Sequence, residues 1–441
     1  MSKGTQSAEQ VQARETWGSR FGFIMAATGV AVGVGNIQRF PYLVGQNGGA
    51  AFVVAYLIIM TLCVIPLTMM EIGAGHKFGK GVIDTYTDAC GGKRIGKALG
   101  GYISIIPILL NMYYICVIAY VAYYVWSSIT GGWVGQDTQV LYETVVANKT
   151  QLAACFVIVC LVNSFIVLKG VTNGIDKACK IMIPGVFLTL FIVLIRSVTL
   201  PGFSEGLAFY MKPDWGRLLD YKIWLAAAGQ ALFSIGVGPG MMIVYGSHLD
   251  KNDDVNLNSI TICFLDTAVA LLAGFAIIPA TVAMNFDPAS GPSLLFVVLP
   301  ALFDRIAGGR ILAVIFFIGV LFAGLSSSIS HLESPASSFM DHFGWSRKKA
   351  VGIFTAVELA GGLACCFFPE FYDFVSTYAG DYFYCLSALI SVIVFAFIYG
   401  IRKIREYNNE VSDMRVGSYA DILLKYVAMP LLAIVVIQMF I

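Results

Sequence analysis

Two glycine-rich stretches carry the chemistry that can be read first. Gly29-Val30-Ala31-Val32-Gly33-Val34-Gly35-Asn36 and Phe233-Ser234-Ile235-Gly236-Val237-Gly238-Pro239-Gly240 both lie inside long apolar runs. In a helix interior a glycine costs about 1 kcal/mol and a proline about 3 kcal/mol, so three or four of them in little more than a turn unwind the helix. The backbone groups released there need partners, because unpaired backbone at membrane depth persists only where it lines a cavity or meets a bound group. Close helix packing through small residues accounts for one such cluster equally well. Two clusters, beside the polar Asn36 and Ser234, favour a binding site. Asp266 is a third signal, a carboxylate between Phe264-Leu265 and a run ending at Ala273-Gly274. Placing a charge at mid-membrane costs at least about 2.5–3.5 kcal/mol, which makes function the default. The alternative is a protonated acid bonded within the bundle. Ser326-Ser327-Ser328, taken alone, reads as hydroxyls returning to their own helix carbonyls. Gly33-Val34-Gly35 is not a nucleotide loop, since no third glycine follows at the required spacing.

These residues need a membrane-spanning frame, and the composition supplies it. Of 441 residues, 58% are hydrophobic and 12% charged, against about 45–50% and about 25% in soluble domains. The mean hydropathy is +0.78. A soluble enzyme, a disordered chain and a disulfide-stapled module are excluded. With 28 basic and 27 acidic residues the net charge is +1, which offers nucleic acid nothing. The fold class is an all-α polytopic membrane protein in a lipid bilayer, with about eleven spans of about 20 or more apolar residues. They cover about 17–42, 48–75, 98–130, 150–168, 177–198, 223–247, 256–285, 310–340, 349–368, 374–400 and 418–441.

Basic residues cluster in alternate loops: Lys77, Lys80, Lys93, Arg94 and Lys97, then Lys169, Lys177 and Lys180, then Arg347, Lys348 and Lys349, then Arg402, Lys403 and Arg405. The positive-inside rule therefore puts the amino terminus in the cytoplasm. Residues 1–16 read as a cytoplasmic tail and 17–441 as one transmembrane domain. The ten cysteines, the pair Cys365-Cys366 included, read as small reduced apolar residues. His76, His248, His331 and His342 are scattered without metal-ligand spacing, and no nucleophile stands beside a base, so an enzyme is not expected.

The first and sixth runs are five apart and each opens a set of five. This suggests a 5+5 inverted repeat, about 17–198 and 223–400, with the eleventh helix at about 418–441. Interrupted apolar segments at corresponding positions of two halves point to a transporter's binding site.

The residues around the breaks support a more specific reading. Trp17-Gly18-Ser19-Arg20, the run Gly33 to Tyr42, Asn47-Gly48-Gly49, Pro66 to Glu71, Tyr113-Tyr114, Gly229-Gln230 and Ala323-Gly324-Leu325-Ser326-Ser327 resemble, in order along nearly the whole chain, the signature of the neurotransmitter:sodium symporters. The eleven-span length is similar to the prokaryotic branch.

The resemblance implies a sodium-coupled importer working by alternating access in the plasma (bacterial inner) membrane, as a monomer or loose homodimer. A sensor or channel on the same scaffold is the rival. One sodium site would use the Ala31 carbonyl with Asn36, Ser234 and Asp266. A second would use carbonyls of Gly29, Val32 and Ala323 with Ser326 and Ser327. Oxygen-only sets suit a hard cation. Gly33, where monoamine carriers have aspartate, implies an amino-acid substrate. Its carboxylate would meet the amides of Val34 and Gly35 at a half-helix N-terminus and the hydroxyl of Tyr114. Its ammonium would meet carbonyls of Ala31, Phe233 and Ser234. Leu110, Phe233, Gly236, Pro239 and His331 would surround the side chain, with room for a large hydrophobic or aromatic group. His331 would bond a phenol or indole, or be a buried imidazole satisfied by Ser330 or Ser334.

Asp266, where the family commonly has asparagine, and Ala270, where chloride-dependent members have serine, imply no need for chloride. Tyr56, Gln230 and Ser234 match the rest of that anion site. Arg39 would close an outer gate with Asp373, with Phe233 as the lid over the substrate. Arg14 and Trp17 would close an inner one with Asp341. His248, where many relatives have tyrosine, reads as a solvated loop histidine, and Gln46 replaces a common glutamate above the outer gate.

Overall fold

The computed structural model describes residues 15–291 and 293–439 and contains no strand among them. Among the described residues nine helices are long and apolar enough to cross a membrane, and a bent pair makes a tenth. In chain order the spanning segments are α1 (Arg20–Ala31, resuming as Val34–Gln46), α2 (Ala50–Phe78), α3 (Arg94–Thr130), α4 (Lys149–Leu168), α5 (Val171–Val198), α6 (Tyr221–Ile235, resuming as Met241–Gly246), α7 (Val255–Ala283), α8 (Gly309–Phe343), α9 (Arg347–Phe367), α10 (Pro369–Val411) and α11 (Tyr419–Gln438). The short halves of α6 are too small to count as a span singly, which is the expected consequence of breaking one in the middle.

Side chains at the helix starts satisfy the amides that a helix leaves open. Ser19, Asp137, Asn148, Asp220, Asp254 and Ser346 each accept a backbone N–H of the first turn. The span boundaries differ from the sequence reading most at α10. It runs eleven residues past position 400, because Ile401–Val411 is an amphipathic, well-formed helix continuing beyond the apolar run. Short helices at Val82–Ala89, Thr138–Ala147, Phe203–Met211 and Leu299–Asp304 lie between spans. They were not legible in hydropathy, since they are too short to cross.

α3 and α8 pack along each other, α9 and α4 pack beside them, and α5 lies between α1, α7 and α8. The first half of α6 lies on α2 and so does the second half. The two broken helices are thereby held between a scaffold of unbroken ones.

Candidate ligand cavity and ion sites

The halves of α1 meet at 65°. Val32 and Gly33 between them are extended, and Val34 restarts a helix whose first amides face inward. At α6 the chain leaves the helix at Gly236 and re-enters at Gly240, with positive φ at Gly236, Gly238 and Gly240. Buried Glu71 of α2 holds this loop. Its Oε1 accepts the amide of Gly238 at 3.0 Å and the hydroxyl of Ser391 at 2.7 Å. The sequence reading had quoted Glu71 only as part of a motif. Its anchoring role requires α2, α6 and α10 to be seen together.

Between the breaks lies a small cavity of about 30 Å³. It is lined by Ala31, Gly35, Leu110, Tyr114, Phe233, Ser234, Gly236 and His331, all named from sequence, and also by Val30, Gly33, Tyr113, Met241 and Tyr384. Val34 does not line it, but the Val34 amide donates to the Tyr114 hydroxyl at 3.2 Å. Pro239 is buried but does not line this cavity, whereas Met241 of the resumed helix does. Tyr384 carries no sequence signal for this role, since nothing in α10 marks which face meets α6.

Two oxygen clusters flank the cavity. In the first, Asp266 is fully buried and its two oxygens collect donors from three helices. The Asn36 amide donates at 2.7 Å, the Ser234 hydroxyl lies 2.9 Å from each oxygen, and the Tyr56 hydroxyl donates at 3.3 Å. The Asn36 carbonyl oxygen accepts the Gly33 amide at 3.0 Å, which ties the cluster to the α1 break. In the second, the Ser327 hydroxyl lies 3.1 Å from the carbonyl of Gly29, 3.2 Å from that of Val32 and 3.3 Å from that of Ala323. Ser326 bonds the same Ala323 carbonyl at 3.0 Å. One hydroxyl has one proton, so surplus lone pairs from three carbonyls converge on one point. That is an arrangement for a hard cation. The serines do return to their own helix, as read in isolation, but they also reach across to α1.

Neither Ser330 nor Ser334 is the hydrogen-bond partner of His331. Its Nδ1 meets Asn111 Oδ1 at 3.3 Å. Ser330 is engaged with Tyr245 and its own helix instead.

Toward one face, Arg39 lies 5.7 Å over the Phe233 ring. Arg39, Phe233, Tyr384 and Asp381 line a second cavity of about 310 Å³. Asp373, the expected partner of Arg39, is exposed in the first turns of α10 and lines neither cavity, whereas Asp381 lines the second together with Arg39.

The opposite face is shut. Trp17 is buried, its indole donates to the Tyr245 carbonyl at 3.1 Å, and its amide bonds the His248 carbonyl. Asp341 accepts the Gly81 amide at 2.6 Å. Arg14 lies outside the described residues. His248 is not solvated: it is 3% exposed, with Nδ1 on the Glu15 carbonyl at 2.7 Å and Nε2 on Ser337 at 3.3 Å. The amino-terminal stretch of residues 15–17, invisible to hydropathy, packs over it.

Known proteins share this arrangement. The family model of the sodium:neurotransmitter symporters matches residues 14–145 and 141–441. A sodium-dependent transporter of Haemophilus influenzae is 30% identical, covering 96% of this chain and 97% of its own length. The sodium-dependent transporter YhdH of Bacillus subtilis is 32% identical over 79% of this chain and 78% of its own. Among solved structures, that of MhsT in complex with L-phenylalanine superimposes with a TM-score of 0.87 at 33% identity, over 97% of this chain and 100% of that one. With its two interrupted helices, the cavity between them and these matches along the whole sequence, the chain belongs to the sodium:neurotransmitter symporter family.

Proposed function

We propose that this protein imports a neutral amino acid, large and hydrophobic or aromatic, together with two sodium ions, by alternating access and without chloride. The observation that carries this reading is the convergence of both helix breaks on one cavity flanked by two oxygen clusters. MhsT, whose structure holds L-phenylalanine, supports an amino acid as cargo.

Each group has a task that follows from its chemistry. The restarted α1 half-helix presents its positive end to the substrate carboxylate, and the Tyr114 hydroxyl, which accepts the Val34 amide, stands beside it to complete that contact. An ion held by Asn36, Ser234 and Asp266 would sit beside the carboxylate, so each raises the other's affinity. An ion between α1 and α8 would tie a broken helix to the scaffold and favour the state sealed by Trp17, Tyr245 and Asp341. Release of that ion loosens the seal. Phe233 lies over the cavity under Arg39, positioned as a lid.

Asp266 supplies as a fixed charge what an anion supplies elsewhere, and Ala270 offers no hydroxyl to hold one. Gln230 points the other way, since both polar atoms of its buried side chain lack a hydrogen-bond partner among the described residues. Two sodium ions with a zwitterion carry two charges, worth about 4.6 kcal/mol at 100 mV. That is roughly three decades of accumulation.

Uptake of labelled tyrosine, tryptophan, phenylalanine and leucine into proteoliposomes, with an inward sodium gradient and gluconate replacing chloride, tests the reading. Accumulation that requires sodium and survives chloride removal is the expected result. Collapse without chloride refutes the role given to Asp266. Sodium-dependent binding without accumulation replaces a transporter with a sensor.

A further inference from the structure

Behind the cavity wall runs a buried polar chain that passes through Ser328, next to Ser327 of the second oxygen cluster. Glu358 of α9 is fully buried, and its Oε1 accepts the Asn111 amide nitrogen of α3 at 2.8 Å. That same nitrogen lies 3.3 Å from the Ser328 carbonyl. The Asn111 oxygen receives the Ser328 hydroxyl at 2.8 Å and faces His331 Nδ1 at 3.3 Å. Asn163 of α4 donates to the Ser328 hydroxyl at 3.0 Å.

The direction of every bond in this chain is fixed by chemistry. A backbone carbonyl and a carboxylate oxygen both accept, so the Asn111 NH₂ must face them. Turning the amide over would set the Asn111 oxygen against Glu358 Oε1, the shorter of its two contacts, and against the Ser328 carbonyl. The Asn111 oxygen is therefore committed to His331, and an oxygen can only accept. His331 Nδ1 must carry the proton. In a neutral imidazole the other nitrogen is then a pure acceptor. Nε2 has no hydrogen-bond partner among the described residues, on a ring that lines the cavity and stands edge-on to Tyr114 at 5.5 Å.

We propose that Glu358, acting through Asn111, is a positioning residue that fixes His331 as a hydrogen-bond acceptor in the cavity. The transporter thereby selects amino acids whose ring carries a donor, an indole N–H or a phenol O–H, over rings of equal size without one. This rests on the amino-acid transport reading and narrows its substrate class. A wall of hydrocarbon alone would rank substrates by size, whereas this wall ranks them by the presence of one proton.

The test is competition against sodium-driven uptake of labelled phenylalanine. Tryptophan is paired with 3-benzothienylalanine, which keeps both rings but has sulfur in place of N–H, and tyrosine with O-methyltyrosine. One neutral hydrogen bond corresponds to a preference for the donor of about five- to tenfold in the wild type. The preference should vanish in His331→Leu and in Glu358→Leu. It should persist in Glu358→Gln, which still offers an oxygen to the Asn111 amide. A purely structural role for Glu358 would weaken both members of each pair equally and leave their ratio unchanged. A ratio at or below one in the wild type for both pairs overturns the inference without any variant, as does a wild-type ratio in Glu358→Leu. Absence of any sodium-driven phenylalanine uptake in the wild type is a different result, and overturns the transport reading itself together with this one.

Discussion

The two helix breaks look alike in sequence and are built on different physics. At α1, Gly33 has φ −132° and ψ −170°, extended backbone that any residue adopts. Glycine is needed there for space: a Cβ would lie 2.7 Å from the Tyr114 hydroxyl and 3.0 Å from that of Ser327. At α6, Gly238 has φ +110°, a conformation that side chains resist. A Cβ there would also lie 2.8 Å from the Ala388 backbone nitrogen. One break is therefore a site kept clear for chemistry, and the other is a backbone distortion that needs an anchor, supplied by Glu71.

The difference can be broken most severely at α6. Gly238→Ala combines a strained φ, about 1–3 kcal/mol, with overlap against backbone that cannot move aside. We expect loss of folded protein, read as a collapse of the monodisperse peak in detergent. An Ala variant with wild-type melting temperature would show that the α6 break tolerates ordinary residues.

Glu71→Ala should come next. It leaves the Gly238 amide and the Ser391 hydroxyl buried without an acceptor, at about 1–3 kcal/mol for each group left unsatisfied. Thermal stability should fall whether or not substrate is present. If only substrate affinity falls, Glu71 belongs to the site and not to the scaffold.

At α1 the effect should be on function with less on stability. Gly33→Ala should raise the substrate KM at least tenfold by pushing on Tyr114, while the melting temperature moves little. Adding Tyr114→Phe removes the oxygen that the new methyl meets, so the double variant should be better folded than the sum of the two single changes. Additive behaviour in that cycle would mean that the two groups do not touch.

The smallest structural effect should follow Ser327→Ala, which deletes one hydroxyl from the α1–α8 cluster. The sodium concentration for half-maximal uptake should rise several-fold, with a stability change of about 1 kcal/mol or less in the absence of sodium. Unchanged sodium dependence removes Ser327 from the ion site.

Much of this architecture was legible before any coordinates. The lengths of the apolar runs bound the spans, because a bilayer of fixed thickness sets a minimum helix length. The glycine clusters placed both interruptions to within a residue or two, since the cost of Gly and Pro in a helix is local and additive. Asp266 stood out because a carboxylate in an apolar run has few explanations. The structure joins it to Asn36, Ser234 and Tyr56, which the resemblance had grouped together.

What failed in the sequence reading failed for geometric reasons. Asp373 is the acid that the resemblance pairs with Arg39, yet Asp381, one of several acids on α10, is the one that shares a cavity with it. Pro239 was placed in the pocket because a sequence does not say which way an unwound loop faces. His248 was read as solvated because hydropathy cannot foresee that residues 15–17 fold back over it.

The sequence by itself determined the membrane fold, the position of the breaks and the oxygen chemistry around them, since each depends on residue type and near neighbours. Tertiary structure decided which side chains share a wall. Glu71 meets Gly238 across 167 positions, and Glu358 meets Asn111 across 247. Contacts at that separation are set by how unbroken helices pack around broken ones, and no local pattern in the chain encodes them.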